Sequence, residues 1–278
     1  MLKPPYTRYD QLYVYNFDRI DLGSVDDPDL IGTWIEDDTA ILFFHKEKQE
    51  LVETICSRSG AKILYEANLN YQDWEAGLDI TTFTVPPLTV APLWEVDQLT
   101  HDEEEILIKL DPSVIFGSGF HPTTRLCLQV ITDILASSPE EIKTMVDLGT
   151  GTGLLSLGAA KLGVQQIHAY DNNPFACSVA RKNIGLNSCE KQVQVMEADL
   201  RGALPDTGVD LVVANLYKGL LLGFFENPDF WKAKYYIISG FIPSMEKDLL
   251  AALPMKQLKL LERRKSETWR LWLLKRTV

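Results

Sequence analysis

Cysteine and histidine are scarce in this 278-residue sequence, four of each, and that scarcity removes whole classes of chemistry. Cys56, Cys127, Cys177 and Cys189 stand far apart, with no C-x-x-C pair and no histidine at metal-ligand spacing. Neither a metal site nor a disulfide framework is expected, and reduced thiols filling core or surface positions are the simplest reading. Long apolar runs are missing too. A membrane-spanning helix needs about 20 consecutive apolar residues, whereas the most apolar region, Leu211 to Phe225, is broken by Asn215 and Lys218. The opening Met1-Leu2-Lys3-Pro4-Pro5-Tyr6 lacks the apolar core of a secretion signal, so a cytoplasmic protein without membrane contact is expected.

Positive charge is also in deficit. The chain carries 27 Lys+Arg against 39 Asp+Glu, net −12. Nearly all of the deficit falls in residues 1 to 98, where 7 Lys+Arg face 18 Asp+Glu. An acidic surface repels phosphate backbones and attracts basic partners, so a basic protein partner is favoured over direct nucleic-acid binding. The terminal basic residues Arg263, Arg264, Lys265, Arg270, Lys275 and Arg276 read as solvated faces of strands.

What is present divides the chain in two. Leu12 to Phe17 and Thr39 to Phe44, rich in aromatic and branched residues, read as strands, and Lys48 to Arg58 places Leu51, Val52 and Ile55 at helical spacing. Residues 1 to 98 are therefore expected to form a small α+β domain. Val85-Pro86-Pro87 and Ala91-Pro92-Leu93-Trp94 read as an extended connection or edge segment, since proline withholds a backbone donor. Residues 99 to 278 alternate apolar strands with amphipathic helices, the pattern of a mostly parallel sheet covered on both faces.

The strongest local signal is Thr144-Met145-Val146-Asp147-Leu148-Gly149-Thr150-Gly151-Thr152-Gly153, an apolar strand running into a glycine-rich turn and then the helix Leu154 to Leu162. Glycines let the chain turn sharply and a ligand approach closely, and the helix start offers unpaired amides. The spacing is G-x-G-x-G, with Asp147 two residues before the first glycine. Leu154 stands where the dinucleotide pattern G-x-G-x-x-G needs glycine. About twenty residues on, the strand Gln166 to Asp171 ends in a carboxylate able to accept from both hydroxyls of a ribose. Asn172 lies beside it, and Asn172 or Asn173 can cap the helix beginning near Pro174. The strand Gln192 to Met196 leads to Asp199, an acid placed to face an adenine amino group, and Val209 to Tyr217 delivers Asn215 at a strand's carboxyl end.

Upstream, Leu110 to Thr124 contains Phe116-Gly117-Ser118-Gly119-Phe120-His121-Pro122-Thr123-Thr124, ahead of the helical run Arg125 to Leu135. Thr123 or Thr124 can cap that helix; a cap alone does not call for Phe116, His121 and two glycines. This stretch resembles the F-G-x-G-x-H-P-T-T signature of the ribosomal protein L11 methyltransferases, the PrmA family. The resemblance continues through Asp147 to Gly153, Lys161-Leu162-Gly163, Asp171 with Asn173-Pro174, Val213-Ala214-Asn215-Leu216 and Ile238 to Ile242, and more faintly through Gln72-Asp73-Trp74 and Pro92-Leu93-Trp94-Glu95.

The resemblance implies a Rossmann-like seven-stranded methyltransferase sheet behind a small substrate-recognition domain, and S-adenosyl-L-methionine as cofactor. It implies Thr124, Gly149, Asp171 and Asn215 as principal cofactor contacts, to which the glycine turn adds Asp147, Gly151 and Gly153 and the strand ends add Asn172 and Asp199. Lysine or N-terminal amines of a large-subunit ribosomal protein would be the acceptors. Asn215 would orient the nitrogen and Phe116, Phe120 and Tyr217 would desolvate it, with His121 as a candidate proton acceptor. Two other readings keep the fold: methylation of another protein or of a small-molecule amine, and a non-catalytic S-adenosylmethionine-binding module.

Overall fold

The structure, a computed structural model, describes residues 10–36, 38–71, 80–99, 105–138 and 140–277. Two compact units make it up, Met1–Thr81 with Asn173–Phe175, and Thr82–Asn172 with Ala176–Val278.

In the first unit, β1 (Gln11–Phe17), β2 (Leu30–Glu36) and β3 (Thr39–Phe44) are followed by α1 (Gln49–Ser59) and β4 (Ile63–Asn70). The sheet runs β2-β3-β1-β4, every pair antiparallel. α1 forms where the apolar spacing predicts it and ends at Gly60, whose φ of 68° lets its N–H return to the Cys56 carbonyl at 2.9 Å. Its Val52 and Ile55 are buried against Tyr15, Phe17, Leu42 and Phe44. Each such side chain contributes about 1.5–3 kcal/mol by leaving water. β2 and β4 were not expected. Gln72-Asp73-Trp74 lies outside the described residues.

The second unit opens with β5 (Phe83–Val85), β6 (Leu88–Pro92) and β7 (Ile106–Leu110) in a three-stranded sheet. The proline-rich stretch expected as a connection is thus a hairpin turning at Pro86-Pro87, with β6 pairing parallel to β7. Leu88, Val90, Ile108 and Leu110 share a core with the long helix α2 (Pro122–Ser137). The segment from Thr82 to residue 98, expected as the linker that ends the front domain, therefore packs with the larger unit.

The main sheet follows: β8 (Thr144–Leu148), α3 (Leu154–Lys161), β9 (Gln166–Asp171), α4 (Pro174–Leu186), β10 (Val193–Glu197), β11 (Leu211–Asn215), α5 (Lys218–Phe225), β12 (Tyr235–Phe241), α6 (Pro243–Ala252), β13 (Leu258–Ser266) and β14 (Trp269–Arg276). Its order is β10-β9-β8-β11-β12-β14-β13. Strands are parallel from β10 through β12, and β14 runs antiparallel to both neighbours.

Alternate residues serve two cores. Met145, Leu211, Val213, Tyr235, Ile237, Leu271 and Leu273 pack on one face, while Val146, Leu148, Val212, Ala214, Tyr236, Ile238, Trp272 and Leu274 pack on the other. Burial on both faces is why these strands read as unbroken apolar runs. Among the described residues no helix is long and apolar enough to cross a membrane.

Candidate functional site

The period of two that builds the cores also places the site. Asp147 follows Met145, Asn215 follows Val213 and Ser239 follows Ile237, so three polar residues extend the α2-side columns at the carboxyl ends of adjacent strands. Ligands in open α/β sheets bind at that edge. The glycine turn closes over it: the N–H groups of Gly149 and Thr150 both donate to the Tyr170 carbonyl at 2.8 Å, and Gly151 N–H donates to Asp171 Oδ2 at 3.0 Å. The turn between β8 and α3 is thus fastened to the end of β9. At Gly151, with φ 55°, a Cβ would lie 2.2 Å from the Phe116 carbonyl oxygen, so no side chain fits there.

Asp147 is fully buried. Its Oδ2 accepts from the hydroxyls of Thr150 and Ser156, each at 2.7 Å, while Oδ1 has no partner. Burial pushes its carboxyl up to about 6, only partly offset by the Ser156 and Thr150 hydroxyls. Thr124 Oγ1 and Asn215 Oδ1 are likewise buried and partnerless. Buried polar atoms are normally satisfied because leaving one unpaired costs about 1–3 kcal/mol. Partnerless buried oxygens thus come from β8, β11 and the first turn of α2. Asp147 lies beneath the turn and holds it through two hydroxyls.

The loop before α2 departs from expectation. The helix starts at Pro122, and its cap is His121, not Thr123 or Thr124: the Thr123 N–H donates to the imidazole Nδ1 at 3.3 Å, with Thr123 Oγ1 at 2.7 Å from the same nitrogen. Both threonines are buried inside the first turn. Burial holds the His121 imidazolium pKa below its ordinary value despite Glu267 nearby. Its ring lies 5.0 Å from Phe116 and 4.6 Å from Trp269, centroid to centroid. A ring held on two sides, with one nitrogen engaged as a cap, braces the loop.

Phe120, expected beside the acceptor, is instead buried edge-on against Phe83 at 5.6 Å, with the Arg125 guanidinium over its ring. Phe116 and Tyr217 are the exposed aromatics of the two segments, 52% and 62% accessible. Asn173, rather than Asn172, caps α4 by accepting from Phe175 N–H at 2.9 Å, and Asn172 is exposed. Asp199 lies two residues past β10 and is half exposed, its two oxygens taken by Arg201 at 2.9 and 3.0 Å. Beside Arg201, a cavity of about 430 Å³ lined mainly by Leu200, Leu204, Tyr217, Leu220 and Phe224 falls in the size range of small-ligand pockets.

Several residues here had no sequence signal strong enough to single them out. Ser156 is a lone hydroxyl in an apolar helix, Trp269 comes from the far end of the chain, and Ser239 is legible only as the polar residue ending an apolar column. Among the described residues, no group of three or more His, Cys, Asp or Glu side chains could hold a metal ion.

Comparisons with known proteins agree with this architecture. A curated ribosomal protein L11 methyltransferase of Listeria monocytogenes is 38% identical over 170 residues, 60% of this chain and 52% of the relative. One of Exiguobacterium sibiricum is 36% identical over 185 residues, 66% of this chain and 56% of the relative. The chain therefore spans about half the length of the curated relatives it matches. A crystal structure of a ribosomal protein L11 methylase from Lactobacillus delbrueckii subsp. bulgaricus superposes with a TM-score of 0.61 at 24% identity, covering 71% of this chain and 98% of that one, a likeness of fold. Since the model of the family described as ribosomal protein L11 methyltransferase (PrmA) matches residues 36–277, nearly the whole sequence, the chain belongs to that family.

Proposed function

We propose that this chain transfers methyl groups from S-adenosylmethionine to amino nitrogens, on lysine side chains or the N-terminus, of a basic ribosomal protein of the L11 type in the cytoplasm. The observation that carries the reading is the set of partnerless buried oxygens, Thr124 Oγ1, Asp147 Oδ1 and Asn215 Oδ1, around the carboxyl edge of the sheet. Family membership and the names of the relatives support the same substrate class.

The residues fit the cofactor. Asp171, steadied by Gly151 N–H, supplies carboxylate oxygen for ribose hydroxyls, while the bare glycine turn lets the amino-acid portion approach. Bound there, the cofactor supplies an electrophilic sulfonium methyl. The protein must then deliver an uncharged amine, since a lysine of pKa about 10.4 is protonated at neutral pH. Phe116 and Tyr217 offer apolar surface that disfavours the ammonium, and Asn215 Oδ1 accepts a hydrogen bond from the amine, aiming its lone pair. His121 holds the loop that presents Phe116. Holding donor and acceptor in line removes up to roughly 7–11 kcal/mol of barrier in the best intramolecular models. The acidic first unit, built mainly from Met1–Thr81, attracts a basic partner by charge.

The test is incubation with methyl-labelled S-adenosylmethionine and a methyl-poor cell extract, read by autoradiography and mass spectrometry. Label on lysine or the N-terminus of a small basic ribosomal protein is the expected outcome. Label on a different protein or only on a small amine would reassign the acceptor, and cofactor binding without any transfer would leave a binding module.

A further inference from the structure

Outside the atoms that would touch cofactor or acceptor, one buried network links the two loops of the site. Thr152 sits fully buried between Gly151 and Gly153. Its N–H donates to the Phe116 carbonyl at 3.1 Å and its hydroxyl to the Gly117 carbonyl at 2.7 Å. Its own carbonyl accepts from Asn183 Nδ2 at 2.9 Å. Asn183, fully buried on α4, uses the rest of its amide on the far end of the same loop: Nδ2 donates to the Asp111 carbonyl at 2.9 Å and Oδ1 accepts from Asp111 N–H at 2.8 Å.

One helical turn on, Asn187 repeats the arrangement with Lys109, accepting from its N–H at 2.9 Å and donating to its carbonyl at 2.7 Å. Lys182 adds an ion pair to the Asp111 carboxylate. Loop 111–121 therefore has two anchors, at Asp111 and at Phe116-Gly117, and both lead to Thr152. The approach is close: at Gly117, with φ 104°, a Cβ would stand 3.2 Å from Thr152 Oγ1.

We propose that Thr152 and Asn183 are positioning residues that join the acceptor-side loop to the glycine turn, so that filling the cofactor turn orders the loop that receives the acceptor. The proposal rests on the methyltransferase reading for the identity of the two ligands. The Thr152 amide and hydroxyl both point to the loop, so rigidifying residues 149–153 removes freedom from Phe116 and Gly117 directly. A hydroxyl that merely satisfied a buried carbonyl would steady the fold without transmitting occupancy.

The test compares wild type, Thr152→Val, which removes the hydroxyl, and Thr152→Ser, which keeps it. S-adenosylhomocysteine affinity is measured by calorimetry, and amide hydrogen exchange of residues 113–121 is followed with and without that ligand. In wild type and Thr152→Ser, ligand slows exchange in both the glycine turn and the loop. In Thr152→Val, which keeps the backbone bond to the Phe116 carbonyl but loses the hydroxyl bond to Gly117, ligand still protects the turn while its protection of the loop falls well below wild type; acceptor KM rises, and Thr152→Ser restores both. Loop exchange indifferent to ligand in wild type, or as responsive in Thr152→Val as in wild type, overturns the proposal. Absence of binding to wild type would instead remove the cofactor reading beneath it. If Thr152→Val does not fold, Asn183→Ala removes the second anchor, between Thr152 and Asp111, and should weaken ligand-linked protection at the Asp111 end of the loop while Phe116 and Gly117 keep their own bonds to Thr152; unchanged protection at that end overturns the proposal.

Discussion

The two ends of the seven-stranded sheet treat a carboxylate in opposite ways. At the amino end, Asp210 just before β11 accepts from Lys143 N–H at 2.9 Å, and from Thr144 N–H and Thr144 Oγ1 at 3.0 Å each. Burial pushes its pKa up, but those donors outweigh it and hold the group below the usual carboxylate range. At the carboxyl end, Asp147 receives two hydroxyls on one oxygen and nothing on the other, and burial prevails. One end is closed on itself and serves the fold. The other keeps partnerless oxygens on Asp147 and Asn215.

Variants that exchange the properties of the two ends sharpen this contrast. The largest effect belongs to Asp147→Asn. The folded pKa of Asp147, about 6, lies above its unfolded value of 3.8, so the wild type holds an extra proton between them and loses stability as pH rises through that window. Relative to the variant, wild type should lose on the order of 3 kcal/mol between about pH 4 and 7, taking 1.36 kcal/mol per unit. Denaturant titrations across that range measure it; a pH-independent difference would mean that Asp147 is not the strained group.

Next comes Asp171→Ala, expected to weaken S-adenosylmethionine binding by about 1.5–3 kcal/mol, the worth of a charged hydrogen bond, and to cost about 1 kcal/mol of stability by leaving the buried Gly151 N–H without its acceptor. Asp210→Ala should cost about 1–2 kcal/mol of stability by stripping partners from part-buried amides while leaving cofactor affinity unchanged. Smallest is Arg201→Ala, which breaks an exposed pair with Asp199. No measurable change in melting is expected, and a clear loss of cofactor affinity would show that the pair orients Asp199 toward the ligand.

The carboxyl end was legible because its chemistry demands particular residues at strand ends. Gly149, Gly151, Asp171 and Asn215 are where the spacing puts them. Thr152 and Asn183 escaped because their partners are carbonyls and amides of a distant loop, and a backbone partner leaves no trace in the sequence. His121 stands in the sequence as a candidate proton acceptor within the loop motif; its Nδ1 is engaged by the Thr123 amide as the cap of α2, a partner the sequence does not reveal. Phe120 read as an acceptor wall because ring orientation depends on the β5 hairpin, itself hidden by Pro86 and Pro87. In the first unit, β1, β3 and α1 follow their patterns, whereas β4 exposes Ile63, Leu64 and Tyr65 in succession and so lacks the alternation that marks a strand.

The most direct test of the division between the two ends is calorimetric titration of S-adenosylhomocysteine into wild type, Asp171→Ala and Asp210→Ala under one set of conditions. Affinity should be equal for wild type and Asp210→Ala and weaker by about tenfold or more for Asp171→Ala. Equal affinity for wild type and Asp171→Ala, or a comparable loss in Asp210→Ala, would contradict that division.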